Sequence, residues 1–227
     1  MMEPHYELRN VELVCFDMAG TTVQDAGRVL EVFDRAILEI EGRQPTDEER
    51  AYVARTMGQS KIEVFSALLH SDVKAIQATQ AFERYYREAV EASGVEEIPG
   101  ATDLLRRLHH QGIRVFLTTG FAAVTQELLI DKLGWAPFID GALCPTEQLR
   151  GRPYPDMLLA ASLAAQVTSM AQVVSVGDTT MDATSGRNSA VGAVIGVLTG
   201  GFSEEALRQA GAHRVLPSVA NLALTPG

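Results

Sequence analysis

Apolar positions along the chain change rhythm twice. Val11-Glu12-Leu13-Val14-Cys15-Phe16 is a short β-prone run that ends at Asp17, and Ala19-Gly20-Thr21-Thr22 after it has the composition of a turn. From there to Val95 the pattern is helical. Val29, Phe33, Ile37 and Ile40 recur at helical spacing, Gly42 stops that helix, and Thr46 with Glu49 forms a capping box that starts a second. The stretches Ile62–Leu69 and Val73–Ala92 predict two more helices, and nothing between them alternates with period two.

After Gly94-Val95-Glu96-Glu97-Ile98-Pro99-Gly100 helix and strand alternate. Ala101, Leu104, Leu105 and Leu108 form one helical stripe closed by Gly112, and further helices are predicted at Val124–Leu133, Met157–Ala165 and Met181–Asn188. Between them lie predicted strands at Ile113–Leu117, Pro137–Leu143, Val173–Val176, Val191–Leu198 and Arg214–Leu216. Helices between apolar strands require crossover connections, which predicts a doubly wound, mostly parallel α/β sheet. The expected organisation is an α/β core of residues 1–22 and 97–227, interrupted after its first strand by an α-helical cap of residues 23–96. Such sheets bind ligands beyond the carboxyl ends of their strands.

Composition narrows the picture without changing it. The 227 residues, 46% apolar and 21% charged, suit one globular domain with an insert. A formal charge of −10 argues against a nucleic-acid backbone or an anionic membrane as partner. The longest apolar run, Ala190–Leu198, is far below the roughly 20 residues of a membrane helix. Met1–His5 has neither a basic start nor an apolar continuation, so no secretory leader and a cytoplasmic location are expected. Cys15 and Cys144 form neither a disulfide framework nor a metal-ligand spacing.

Candidate chemistry gathers at the strand ends. Asp17 closes the first strand, Thr118-Thr119-Gly120 the second, and Gly177-Asp178-Thr179-Thr180-Met181-Asp182 a third; Arg152 precedes Pro153-Tyr154-Pro155. Taken singly, these are turn residues, helix caps and a solvated arginine. Together they describe one chemistry. Three carboxylates converging at strand ends make a hard-oxygen site for Mg²⁺, and one of them could act as nucleophile towards a phosphoryl group. The threonines and Arg152 would then hold phosphoryl oxygens. Redox and acyl-transfer chemistry fit less well, since G-x-G-x-x-G, Walker and nucleophile-elbow sequences are all absent.

The order and spacing of these four motifs, from Val11 to Gly201, resemble the haloacid dehalogenase superfamily of Asp-nucleophile hydrolases, and the insert resembles its α-helical cap. The resemblance implies Asp17 as nucleophile and Mg²⁺ held by Asp17, the Ala19 carbonyl and Asp178, with Asp182 orienting a metal-bound water. It implies phosphoryl binding by Thr118, Thr119 and Arg152. Within the superfamily the chain is similar to the phosphonatases. Most of the phosphatases carry a second Asp two residues after the nucleophile; here that place is Ala19, followed by Gly20-Thr21-Thr22 as in phosphonatases. Met57-Gly58-Gln59-Ser60-Lys61-Ile62 matches the cap segment whose lysine forms a Schiff base with the aldehyde, and Lys61 is one of only three lysines. Gly20 and Met57 would line the substrate.

The resemblance therefore implies cleavage of a small phosphonate aldehyde, phosphonoacetaldehyde to acetaldehyde and phosphate, by a homodimer joined through its caps. Three positions depart from the phosphonatase pattern: Val64 replaces a His, Gly27 a Cys and Phe121 a Tyr, so part of the polar lining is lost. A second reading is a capped phosphatase for a small phosphate monoester, its cap lined by Tyr52, Met57 and Phe65. A third, an inactive binding module on the same fold, is disfavoured because Asp17, Asp178 and Asp182 are all present.

Overall fold

The computed structural model describes residues 10–224, so the leader-free start expected at Met1–His5 lies outside the described residues. The first strand, β1 (Leu13–Asp17), is buried along its whole length. Its side chains alternate between two apolar layers, Leu13 and Cys15 on one face and Val14 and Phe16 on the other. A strand covered on both faces reads as a continuous apolar run, which is how Val11–Phe16 reads.

Four helices follow. They are α1 (Arg28–Glu41), α2 (Asp47–Arg55), α3 (Lys61–Leu69) and α4 (Asp72–Ser93), with α1 and α3 both packed on α4. The Thr46–Glu49 capping box is formed, and Gly42 ends α1 in the left-handed region at φ 67°. Phe33 and Phe65 stack at 4.3 Å inside this insert, and Phe65 meets Phe82 edge-on at 6.4 Å. The segments entering and leaving the insert run side by side: Gln24 N donates to Glu96 O, and Ile98 N to Thr22 O.

The remainder alternates as expected through α5 (Ala101–His110), β2 (Arg114–Thr118), α6 (Ala123–Leu133), β3 (Gly141–Leu143), α7 (Asp156–Ala164), β4 (Val173–Gly177), α8 (Thr180–Asn188), β5 (Ala193–Val197), α9 (Glu204–Ala210) and β6 (Arg214–Leu216). All neighbouring strands pair in parallel, in the order β3-β2-β1-β4-β5-β6. The strand order reverses at β1, which places the ligand crevice at the carboxyl ends of β1, β2 and β4.

Two expectations need correction. The strand predicted over Pro137–Leu143 is a 3-10 turn at Ala136–Phe138 and a strand only at Gly141–Leu143, because Pro137 lacks the N–H a ladder needs. The sequence pattern, which predicts no element between Leu198 and Arg214, lacks helix α9. That helix has seven residues and one buried side chain, Leu207, so it presents no apolar stripe. No helix among the described residues is long and apolar enough to cross a membrane.

Candidate active site

Parallel register sets the first two groups side by side. Asp17 is the last residue of β1, opposite Thr118 at the end of β2. Asp178 follows Gly177 at the end of β4, and Asp182 lies in the first turn of α8. One oxygen from each of Asp17, Asp178 and Asp182 lies within 4.8 Å of the other two, and all three residues are buried. The Thr179–Asp182 capping box orients Asp182, whose Oδ2 accepts from Thr179 N at 3.1 Å and Thr179 Oγ1 at 2.5 Å. Asp178 accepts from Thr21 Oγ1 at 2.7 Å, which gives the Gly-Thr-Thr turn its place beside the acids.

Arg152 joins these groups. Its guanidinium, 2% exposed, meets Asp17 Oδ1 at 2.7 Å and Asp182 Oδ1 at 2.7 Å. It also donates to Thr118 Oγ1 at 2.8 Å and, from the sheet domain to the insert, to Gly58 O at 3.1 Å. Thr119 Oγ1 accepts from Phe121 N, and Thr119 lines the same cavity as Asp17. The three acids face two buried cationic side chains, Arg152 and Lys61, so negative charge is in excess even with both charged. Burial pushes Asp17 up to about 6, against the pull of Arg152, and Asp182 adds to the rise. Burial, with Asp17 and Asp182, lifts Asp178 well above the carboxylate range despite the Thr21 hydrogen bond. Burial opposes the charge on Arg152, yet Asp182 and Asp17 outweigh it and hold the guanidinium above its ordinary value.

A divalent cation suits this donor set. Carboxylate oxygens gathered within 4.8 Å of one another are the hard donors such an ion takes, and two positive charges would offset the acids left in excess. Asp17 and Asp178 are the available ligands, with Ala19 beside them in the lining; Asp182 is already engaged by Arg152 and Thr179.

The insert closes over this centre. Lys61, the first residue of α3, is buried and shares a cavity of about 20 Å³ with Asp17, Ala19, Met57, Thr119, Phe121 and Arg152. Among the described residues no hydrogen bond or ion pair engages its amine, whose Nζ lies 5.3 Å from the ring centroids of both Phe82 and Phe121. Burial lowers the Lys61 ammonium below its ordinary value, against the charges of Glu83, Asp25 and Asp17. A larger groove of about 550 Å³ adjoins, lined by Gly20, Met57 and Asp178 with Leu30, Arg55 and Phe202. Phe65 lies in the insert's own core and lines neither space.

Sequence reasoning missed two contributors. Gly200 approaches so closely that a Cβ there would fall 1.9 Å from Asp178 Oδ2, and no sequence pattern marks that distance. Glu83 is an acid on the apolar face of α4, eight residues after buried Ala75 and three before buried Tyr86. That misplaced polarity was the available signal.

The geometry defines a carboxylate-centred hydrolase site at the switch point of a doubly wound sheet, under a helical insert. The family model for haloacid dehalogenase-like hydrolases matches residues 11–190, and the chain belongs to that family. Among curated relatives, the phosphonoacetaldehyde hydrolase of Bacillus cereus strain B4264 is 31% identical over 218 residues, covering 86% of this chain and 80% of the relative. Among solved structures, the phosphonoacetaldehyde hydrolase-like protein from Oleispira antarctica has a TM-score of 0.80 at 24% identity, covering 93% of this chain and 90% of that one. A hydrolase from Pseudomonas syringae has a TM-score of 0.81 at 21% identity, covering 92% and 95%. At these identities the structural matches speak for the fold.

Proposed function

We propose that this hydrolase cleaves the C–P bond of a small phosphonate aldehyde such as phosphonoacetaldehyde, giving acetaldehyde and phosphate. The observation that carries the reading is Lys61: a buried amine that no hydrogen bond or ion pair engages among the described residues, in one cavity with Asp17 and with Ala19 where an ester phosphatase would keep its acid. Residues 23–96 act as the cap and residues 1–22 with 97–227 as the core; the paired linkers at Thr22–Gln24 and Glu96–Ile98 support that division. Exposed Leu38, Val73 and Ile76 on the insert support a homodimer through the caps.

In this mechanism the neutral amine of Lys61 adds to the aldehyde carbon and water leaves, forming an imine that is then protonated. Asp17 attacks phosphorus as the C–P electron pair moves into the iminium, so the leaving carbon departs as an enamine. An enamine needs no proton on departure, which is why Ala19 suffices two residues after the nucleophile. Protonation and hydrolysis of the enamine release acetaldehyde and restore Lys61, and water attacking the aspartyl phosphate releases phosphate. Thr118, Thr119 and Arg152 hold phosphoryl oxygens, while Gly20 and Met57 line the substrate. Mg²⁺ on Asp17, the Ala19 carbonyl and Asp178, with a water oriented by Asp182, would lower the repulsion between Asp17 and the phosphoryl anion.

Borohydride added with phosphonoacetaldehyde should reduce the imine, inactivate the enzyme and add mass to the peptide containing Lys61. Lys61→Arg keeps the charge but removes the nucleophilic amine, so phosphate release from phosphonoacetaldehyde should fall by several orders of magnitude. Retained C–P cleavage in Lys61→Arg, with no borohydride label in wild type, would replace this reading with the phosphate-ester one.

A further inference from the structure

One buried carboxylate joins the insert to the sheet domain, and the steps above leave it unused. Glu83, on α4, is 8% exposed. It accepts from Thr125 Oγ1 at 2.5 Å through Oε2 and from Ala122 N at 3.0 Å through Oε1. Ala122 immediately precedes α6, which has no side-chain cap of its own. A helix of the insert therefore supplies the cap for the core helix that follows the Thr118-Thr119-Gly120 turn.

The neighbours of these bonded groups matter most. Phe82 precedes Glu83 and Phe121 precedes Ala122; their rings lie 6.1 Å apart at 23°, each with its centroid 5.3 Å from Lys61 Nζ. The two hydrogen bonds thus tie together the backbone segments that carry the two rings flanking the amine. For cohesion alone an apolar side chain at position 83 would cost less desolvation. What the carboxylate adds is direction, since two donors fix its orientation in a low-dielectric setting.

We propose that Glu83 is a positioning residue for Lys61: by tying α4 to the start of α6 it sets the Phe82–Phe121 separation and so holds the Lys61 amine in the cavity it shares with Asp17. The proposal rests on the imine reading of Lys61. Four charged groups bear on that amine: Glu83 from α4, Asp25 from the segment before α1, Asp17 from β1 and Arg152 from the loop before α7. Charge and position predict opposite effects at Glu83. Removing its anion favours the neutral, reactive amine, whereas loosening the clamp misplaces it.

The test is the rate of borohydride labelling of Lys61 at saturating phosphonoacetaldehyde, measured beside kcat and KM. Wild type comes first, and a wild type without label overturns the imine reading itself. With wild-type labelling in hand, Thr125→Val removes one donor while keeping side-chain shape, Thr125→Ser restores the hydroxyl, and Glu83→Gln removes the charge. A misplacement of about 1 Å costs up to about 100-fold, so Thr125→Val and Glu83→Gln should label at least about tenfold more slowly and lose kcat more than they raise KM. Thr125→Ser should label near the wild-type rate. Faster or unchanged labelling in Glu83→Gln, or equal rates in the Thr125 Val and Ser variants, overturns the proposal while leaving the imine in place. If Glu83→Gln does not fold, the Thr125 pair decides alone.

Discussion

Asp17 carries the electrostatic cost of the site. Its native pKa of about 6 lies above the value of 3.8 it would have in water, so the folded state binds more protons than the unfolded state between those limits. The stability tied to this shift is complete below about pH 4 and is lost as pH rises through about 6. Asp178, raised by burial and by Asp17 and Asp182, acts in the same direction. A divalent cation binds the ionised acids and not the protonated ones, so it should restore what deprotonation removes. The rise in Tm on replacing EDTA with Mg²⁺ should therefore be larger at pH 7 than at pH 5. Equal shifts at both pH values, measured by thermal melting, would separate Asp17 and Asp178 from the metal site.

At the scale of elements, the turn after β1 shows how backbone geometry serves the acids. Gly20 has φ 90°, and a Cβ there would sit 2.5 Å from Asp178 Oδ2; Gly42, at the end of α1, has φ 67° with open space around it. Alanine at either position meets a left-handed strain of about 1–2 kcal/mol, which in a domain of this size lowers Tm by a few degrees. Only Gly20→Ala also drives into one of the three clustered carboxylates. Gly20→Ala should lose most hydrolase activity while Gly42→Ala melts similarly and keeps its turnover, as paired melting and kinetic measurements would show. The same scale explains what the chain disclosed in advance. Strand-end acids stand out because each abuts an apolar run, and the helices of the insert declare themselves through stripes such as Val29, Phe33 and Ile37. Glu83 does not, since its partners on α6 become neighbours only when α4 packs there, and α9 does not, since it is too short to show a period.

At the scale of the whole molecule, the seam between insert and core is closed in this structure. Gly58, Gln59 and Ser60 lie against the core: Gln59 pairs with Arg152 as an isolated parallel bridge, and Gln59 Nε2 reaches Met181 Sδ at 3.3 Å. A cavity of about 20 Å³ around Lys61 has room for about one water, so under the proposed function a substrate that reaches Lys61 from the adjoining groove needs the seam to part. The paired linkers at Thr22–Gln24 and Glu96–Ile98 are the two covalent connections that remain while it does. Gly120 tests whether reclosing is needed. Its φ is not left-handed, so alanine is compatible with the backbone, yet a Cβ would fall 2.4 Å from Gln59 O. That oxygen belongs to the backbone and cannot rotate away, so the insert would be held off the core. Gly120→Ala should leave Tm within a few degrees of wild type but lower kcat/KM for phosphonoacetaldehyde by more than about tenfold, because Lys61 and Asp17 would no longer share one cavity. Steady-state kinetics beside thermal melting decide it: unchanged kcat/KM would mean that the chemistry does not require the seam to close.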